Sequence, residues 1–225
     1  MRAGARPVRV NSVWLFNLGA DIYAWFTAQA AWRASCARIA ADLRPHAPHR
    51  VLDLGCGPGV STFEIARALP SAHVTGLDVA PRMLNQARRR RQHAKVQNVA
   101  WLRADAARLP IATSSVDACT GHSFLYLVSD RSAVLTEAGR VLRPGGRLLL
   151  VEPNARAATP RGVLDLSRDP RHLLSVSLWR PFSRLHGRFS AVSLRATLQG
   201  AGFVDCTVDE TFGGLALLAS AVAPP

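Results

Sequence analysis

Asp53, followed within six residues by Gly55, Gly57 and Gly59, combines a carboxylate with a bend almost free of side chains, in the stretch "VLDLGCGPGV". Such a bend lets a ligand approach the backbone closely, and two chemistries could use it: a phosphate cradled by N–H groups, or a cationic ligand beside the acid. The spacing is G-x-G-x-G, and position 60, where a dinucleotide fingerprint needs its third glycine, is Val60. Pro58 lacks an N–H, there is no G-K-[ST] ending, and Asp53 would repel a phosphate. A ligand bearing an ammonium or sulfonium group fits better. Asp78, in "GLDVAPRML", is suited to accept two hydrogen bonds from ribose hydroxyls, and Asp105, in "RADAARLP", supplies a third acid.

The surrounding pattern explains how these acids would share one edge. Short β-type runs alternate with helical ones: "RVLDL", "STFEIARAL", "HVTGLD", "PRMLNQARRRRQHA", "NVAWLRAD", "VDACTG", "RSAVLTEAGRVL", "RLLLVE", "AVSLRATLQGAG", "FVDCTVDE" and "GLALLASAVA". This rhythm predicts an α/β fold, a Rossmann-like doubly wound sheet of seven strands, mostly parallel, with helices on both faces. The short turn between the last two runs predicts that the final strand is antiparallel. Ser61 with Glu64 fits a capping box starting the helix after the glycines. Residues 1–49 read as an N-terminal helical cap and 50–225 as one ligand-binding domain. Residues 154–190 interrupt the alternation and read as a lid inserted after the fifth strand.

Composition narrows the class. The 225 residues suit one α/β domain, and 48% hydrophobic with 19% charged residues is ordinary for a globular chain. Lys95 is the only lysine among 28 basic residues, which face 15 acidic ones for a net charge of +13. That excess favours an anionic partner or surface. Cys36, Cys56, Cys119 and Cys206 form no C-x-x-C pair, so neither a disulfide framework nor a metal site is expected, and a reducing cytoplasm fits. Arg2, Arg6 and Arg9 before an apolar stretch imitate a secretory leader, but Asn17 and Asp21 interrupt it and helical spacing continues to Leu43. The expectation is a cytoplasmic protein.

Taken in order, "VLDLGCGPG", "GLDVAPRML", "RADAARLP", "VDACTGHSFLYLV", "AGRVLRPGGRLLLVEP" and "LRATLQGAGF" resemble the class I S-adenosylmethionine-dependent methyltransferases, in the branch of the ubiquinone and menaquinone biosynthesis enzymes (the type 11 methyltransferase domain). The resemblance runs from about Arg50 to Ala223. It implies that S-adenosylmethionine is the cofactor and S-adenosylhomocysteine the product. It further implies that the loop with Asp53, Gly55, Cys56, Gly57 and Gly59 packs on the methionine part, that Asp78 with Val79 binds the ribose, and that Asp105 with Ala106 reads the adenine. Met83 and Tyr23 are implied at the cofactor's edges.

Methyl transfer from a sulfonium is an in-line displacement, so positioning and water exclusion dominate, and a base matters only when the nucleophile must lose a proton. His122 and Tyr126, in "GHSFLYL", are implied to line the transfer crevice, with His122 the first candidate for base or positioner and also for cofactor packing. His172, Trp179, Phe182 and His186 are the candidate substrate-facing residues of the lid, whose arginines suit an acidic hydrophobic substrate or a peripheral membrane contact. No "[DN]-P-P-[YFW]" motif follows the fourth strand, which points away from base amines of nucleic acid and toward a small hydrophobic or amphiphilic acceptor methylated on O, C or N. An RNA methyltransferase and a noncatalytic binding module are the alternatives. Nothing in the sequence addresses oligomeric state.

Overall fold

The computed structural model describes residues 29–156 and 160–225. Helix α1 (Ala30–Leu43) leads through a 3₁₀ turn to β1 (Arg50–Leu54), then α2 (Val60–Ala68), β2 (His73–Asp78), α3 (Pro81–Ala94), β3 (Val99–Arg103) and β4 (Val116–His122). A 3₁₀ turn (Leu125–Leu127), α4 (Arg131–Val141) and β5 (Leu142–Pro153) follow. The inserted segment carries α5 (Pro160–Leu166) and α6 (Pro170–His186), after which come α7 (Ala191–Gly200), β6 (Val204–Thr211) and β7 (Ala216–Val222).

The seven strands form one sheet in the order β3-β2-β1-β4-β5-β7-β6. Pairs among β1 to β5 are parallel, and β7 runs antiparallel to both β5 and β6, as the short final turn requires. Strand order reverses at β1 and β4, so the crevice beyond their carboxyl ends is where an open α/β sheet takes a ligand. Each face of the sheet buries its own apolar cluster. One includes Leu52, Leu54, Leu148 and Leu150 with helices α4 and α7; the other includes Val51, Val74, Leu149 and Val151 with α1 and α2. Strand alternation explains the division, because successive side chains point to opposite layers.

One local expectation changes. Helix α2 is capped by Gly59, in the left-handed conformation at φ 84°, with no side-chain cap. Ser61 bonds Asp53 instead, and Glu64 pairs with Arg33 and Arg67, each at 2.7 Å, so the predicted capping box is absent. Of the N-terminal cap, α1 is described; Tyr23 lies outside the described residues. Helix α3 ends as its basic run suggests, with Lys95 at its C-cap. Among the described residues no helix is long and apolar enough to cross a membrane, and no acid, histidine or cysteine cluster could hold a metal ion.

Candidate active site

The glycine loop is held from below and from the side. Asp53 is fully buried: its Oδ2 accepts the hydroxyls of Ser61 and Thr62, each at 2.6 Å, and Oδ1 accepts that of Thr120 at 2.9 Å. Burial raises its pKa, and the three hydroxyls pull against that. The structure therefore places Asp53 beneath the loop, joining β1, α2 and β4, rather than at its open edge. Beside it, the Cys56 amide donates to the Leu77 carbonyl at 2.9 Å, tying the loop to β2, and the Cys56 thiol is pushed well up by burial.

Gly55 and Gly59 are glycines for different reasons. At Gly55, φ is 62° and a Cβ would lie 2.1 Å from the Phe124 ring, so an aromatic side chain from the turn after β4 rests on the bare backbone. At Gly59 a Cβ would lie 2.7 Å from Trp101, whose ring also covers Gly76. The third glycine is thus explained by packing under Trp101, and the first by packing under Phe124.

Asp78 sits partly buried at the tip of β2. Its Oδ2 accepts the Gly57 amide at 2.9 Å and its Oδ1 the Ala80 amide at 2.8 Å, while burial raises its pKa against those bonds. Val79 next to it is 44% exposed, and Met83 is buried in α3 below. Asp105, beyond the end of β3, is exposed and accepts the Ala107 amide at 2.9 Å; Ala106 is buried. Asp78, Val79 and Asp105 thus line neighbouring carboxyl ends of β2 and β3, with Gly57 joined to them through Asp78. A glycine loop tied to Asp78, an acid at each strand tip and an apolar residue beside them fit an adenosyl amino acid: small main chain, hydroxylated sugar, flat base. When bound, that cofactor supplies a methyl group already activated by its positive sulfur.

His122 ends β4 and faces the α1 layer. Its Nε2 lies 3.0 Å from the Ser35 hydroxyl and its ring meets Trp32 edge-on at 6.2 Å between centroids. Burial holds its pKa down, at about 4, so the imidazole is neutral at pH 7. A neutral imidazole can donate or accept a hydrogen bond, but one so weakly basic is a poor acceptor for the proton of a phenol. The geometry suits positioning better than proton removal.

The turn that carries Phe124 and Tyr126 is fixed by a residue absent from the sequence-based candidates. Glu152, fully buried at the end of β5, accepts the amides of Phe124 at 3.1 Å and Leu125 at 2.7 Å on Oε1 and that of Tyr126 at 3.1 Å on Oε2. Burial pushes its pKa up to about 7, while the three amides and the charge of Arg131 favour ionisation. An acid closing the apolar run "RLLLVEP" was its only sequence signal. Tyr126 is buried, its ring edge-on to His186 at 6.4 Å. For Ser35, a single helical serine, the sequence held no signal.

The four lid candidates divide between the two layers. His172 packs against Phe212 at 5.7 Å and Trp179 against Trp32 at 5.2 Å, and the Trp32 indole donates to Ser175 at 2.9 Å. His172 is buried, neither ring nitrogen has a hydrogen-bond partner, and burial lowers its pKa. At the other end of α6, Phe182 and His186 stack at 4.2 Å near Tyr126, with His186 Nδ1 2.9 Å from the Phe182 carbonyl. So α6 touches both sides of the sheet above the crevice. Several lid arginines are structural: Arg180 donates to the carbonyls of Asn154 and Arg156, each at 3.0 Å, and Arg188 donates to Ser183 and to the Arg180 carbonyl.

Comparison with known proteins agrees with this geometry. A family model described as a methyltransferase domain matches residues 51–146. A demethylmenaquinone methyltransferase of Tropheryma whipplei is 40% identical over 127 residues, covering 56% of this chain and 50% of that protein. An arsenite methyltransferase of Halobacterium salinarum is 31% identical over 154 residues, covering 68% of this chain and 37% of that protein. The chain thus spans half or less of the length of these two curated relatives. Among solved structures, the [4+2]-cyclase SpnF superposes with a TM-score of 0.70 at 18% identity, over 99% of both chains. The matched family model, the strand order and the acids at the β2 and β3 tips converge, and residues 51–146 carry the methyltransferase domain that the family model describes.

Proposed function

We propose that the protein transfers a methyl group from S-adenosylmethionine to a small hydrophobic or amphiphilic acceptor, on oxygen, carbon or nitrogen. The observation that carries this reading is the coupling of Asp78 to the Gly57 amide at the strand-order reversal, which joins a ribose-binding acid to the glycine loop. In this reading Gly55, Cys56 and Gly57 face the methionine part, Asp78 and Val79 the ribose, and Asp105 and Ala106 the adenine, with Asp53 and Gly59 shaping the loop from below. His122, Phe124 and Tyr126 form the floor on the acceptor side, and α6 covers it. His122 orients the acceptor, and Glu152 positions the turn.

A quinone precursor, as in the name of the Tropheryma relative, suits an aromatic and leucine-rich lid. A thiophilic acceptor such as arsenite suits it less, because Cys36, Cys56 and Cys119 are buried and their thiols are pushed up away from the thiolate form. A cytoplasmic enzyme in peripheral contact with a membrane belongs to the same reading. The test is release of S-adenosylhomocysteine against a panel of quinols, phenolic acids and phospholipids. Turnover with one class names the acceptor; failure of the pure protein to bind S-adenosylmethionine or S-adenosylhomocysteine in calorimetry removes the reading altogether.

A further inference from the structure

Helix α6 packs one side on the domain and leaves an apolar ridge on the other. Its inward side buries His172, Ser175, Val176 and Ser183. On the opposite side Leu174, Leu178, Pro181 and Leu185 follow one another at steps of four, three and four residues, which places them on one ridge of a helix. The three leucines are 49%, 54% and 74% exposed. Scattered exposed leucines are ordinary; three aligned along one helix form an organised stripe.

Charge selects what meets it. Residues 160–195 hold seven arginines and two aspartates. Both aspartates are engaged: Asp165 pairs with Arg161 at 3.7 Å, and Asp169 caps α6 by accepting the Arg171 amide at 2.9 Å. Arg184, next to Leu185 in α6, and Arg168, two residues before the helix, are exposed. Two copies of a chain with net charge +13 repel each other, whereas an anionic surface is attracted. Seventeen residues make a helix about 25 Å long, and with its inward face packed on the domain it is built to lie in a membrane plane.

We infer that the outward ridge of α6 seats on an anionic lipid bilayer, its leucines at the boundary of headgroups and acyl chains and its arginines on headgroup phosphates. The inference rests on the methyl-transfer reading only for its purpose: the helix that covers the crevice would be the part that touches the bilayer, where a hydrophobic acceptor dissolves.

The test is flotation of the full chain with vesicles of phosphatidylcholine, alone or mixed with phosphatidylglycerol, using wild type and Leu178→Asp/Leu185→Asp. Wild type is expected to bind the mixed vesicles at least about tenfold more tightly than the neutral ones, and the double variant to lose about tenfold on the mixed vesicles. Its circular dichroism, melting temperature and S-adenosylhomocysteine affinity should stay as in wild type. If the aspartates disturb folding, Leu178→Ser/Leu185→Ser repeats the comparison. No binding, equal binding by wild type and variant, or a ridge-dependent dimer on size exclusion overturns the proposal. Vesicle binding without cofactor binding would sink the methyl-transfer reading and leave this one standing; the converse would do the opposite.

Discussion

The Ser35 hydroxyl lies 3.0 Å from Nε2 of His122, so a helix preceding the sheet reaches the last residue of β4 and holds its imidazole against Trp32. His122→Ala is expected to lower turnover by about 10²-fold or more while changing cofactor affinity less than twofold. Because His122 is neutral at neutral pH, the turnover of wild type should show no His122 inflection between pH 6 and 8; its inflection belongs near pH 4. Full activity in the alanine variant would reduce His122 to packing.

The same residue sets a stability slope. Its folded pKa of about 4 lies below the ordinary histidine value of 6.5, so the unfolded chain binds the extra proton first. The contribution is complete above pH 6.5 and is lost as pH falls toward 4, by up to roughly 3 kcal/mol. Urea unfolding of wild type and His122→Gln at pH 4.5 and 7 should show the slope in wild type and a shallower one in the variant.

Glu152 works in the opposite direction. A folded pKa of about 7 against an ordinary 4.5 means that its contribution is complete below 4.5 and is lost as pH rises through 7. Glu152→Gln should cost roughly 1–3 kcal/mol at pH 5, because its NH2 cannot accept the amide that Oε2 now accepts, and less at pH 8, where the wild-type carboxylate carries the cost of burial. Comparing variant with wild type at each pH cancels the raised carboxyls of Asp53 and Asp78. If Glu152 also positions the turn, turnover should fall more than cofactor affinity.

Gly55→Ala should destabilise the loop by about 1–2 kcal/mol from its left-handed backbone alone. The collision with Phe124 adds to that, and cofactor affinity should fall. Adding Phe124→Ala should recover the collision but not the backbone cost, which unfolding of the double variant would read. Simple additivity of the two substitutions would mean that the ring does not rest on Gly55 in solution.

Asp78→Ala should weaken cofactor binding by at least about 1.4 kcal/mol, or tenfold, since both the ribose contact and the acceptor for Gly57 disappear. Calorimetry with S-adenosylhomocysteine checks it, and unchanged affinity would remove Asp78 from the site. The resemblance of the fold to the [4+2]-cyclase SpnF makes such site-level tests necessary, since the fold by itself does not fix the reaction.

The chain's own pattern determined the sheet, its helices and which strand ends carry acids, because alternation and glycine punctuation are local properties: "HVTGLD" and "PRMLNQARRRRQHA" coincide with β2 and α3. It could not tell Asp53 from Asp78, two acids at the ends of neighbouring strands. Only the folded chain turned one down onto three hydroxyls and left the other partly open at the rim. Nor could it show that Gly59 serves Trp101, that Glu152 anchors the turn after β4, or that Ser35 supports His122. Those pairs lie between 26 and 87 residues apart and meet through the stacking of layers. Side-chain partners at such separations are chosen by packing, which no local periodicity encodes.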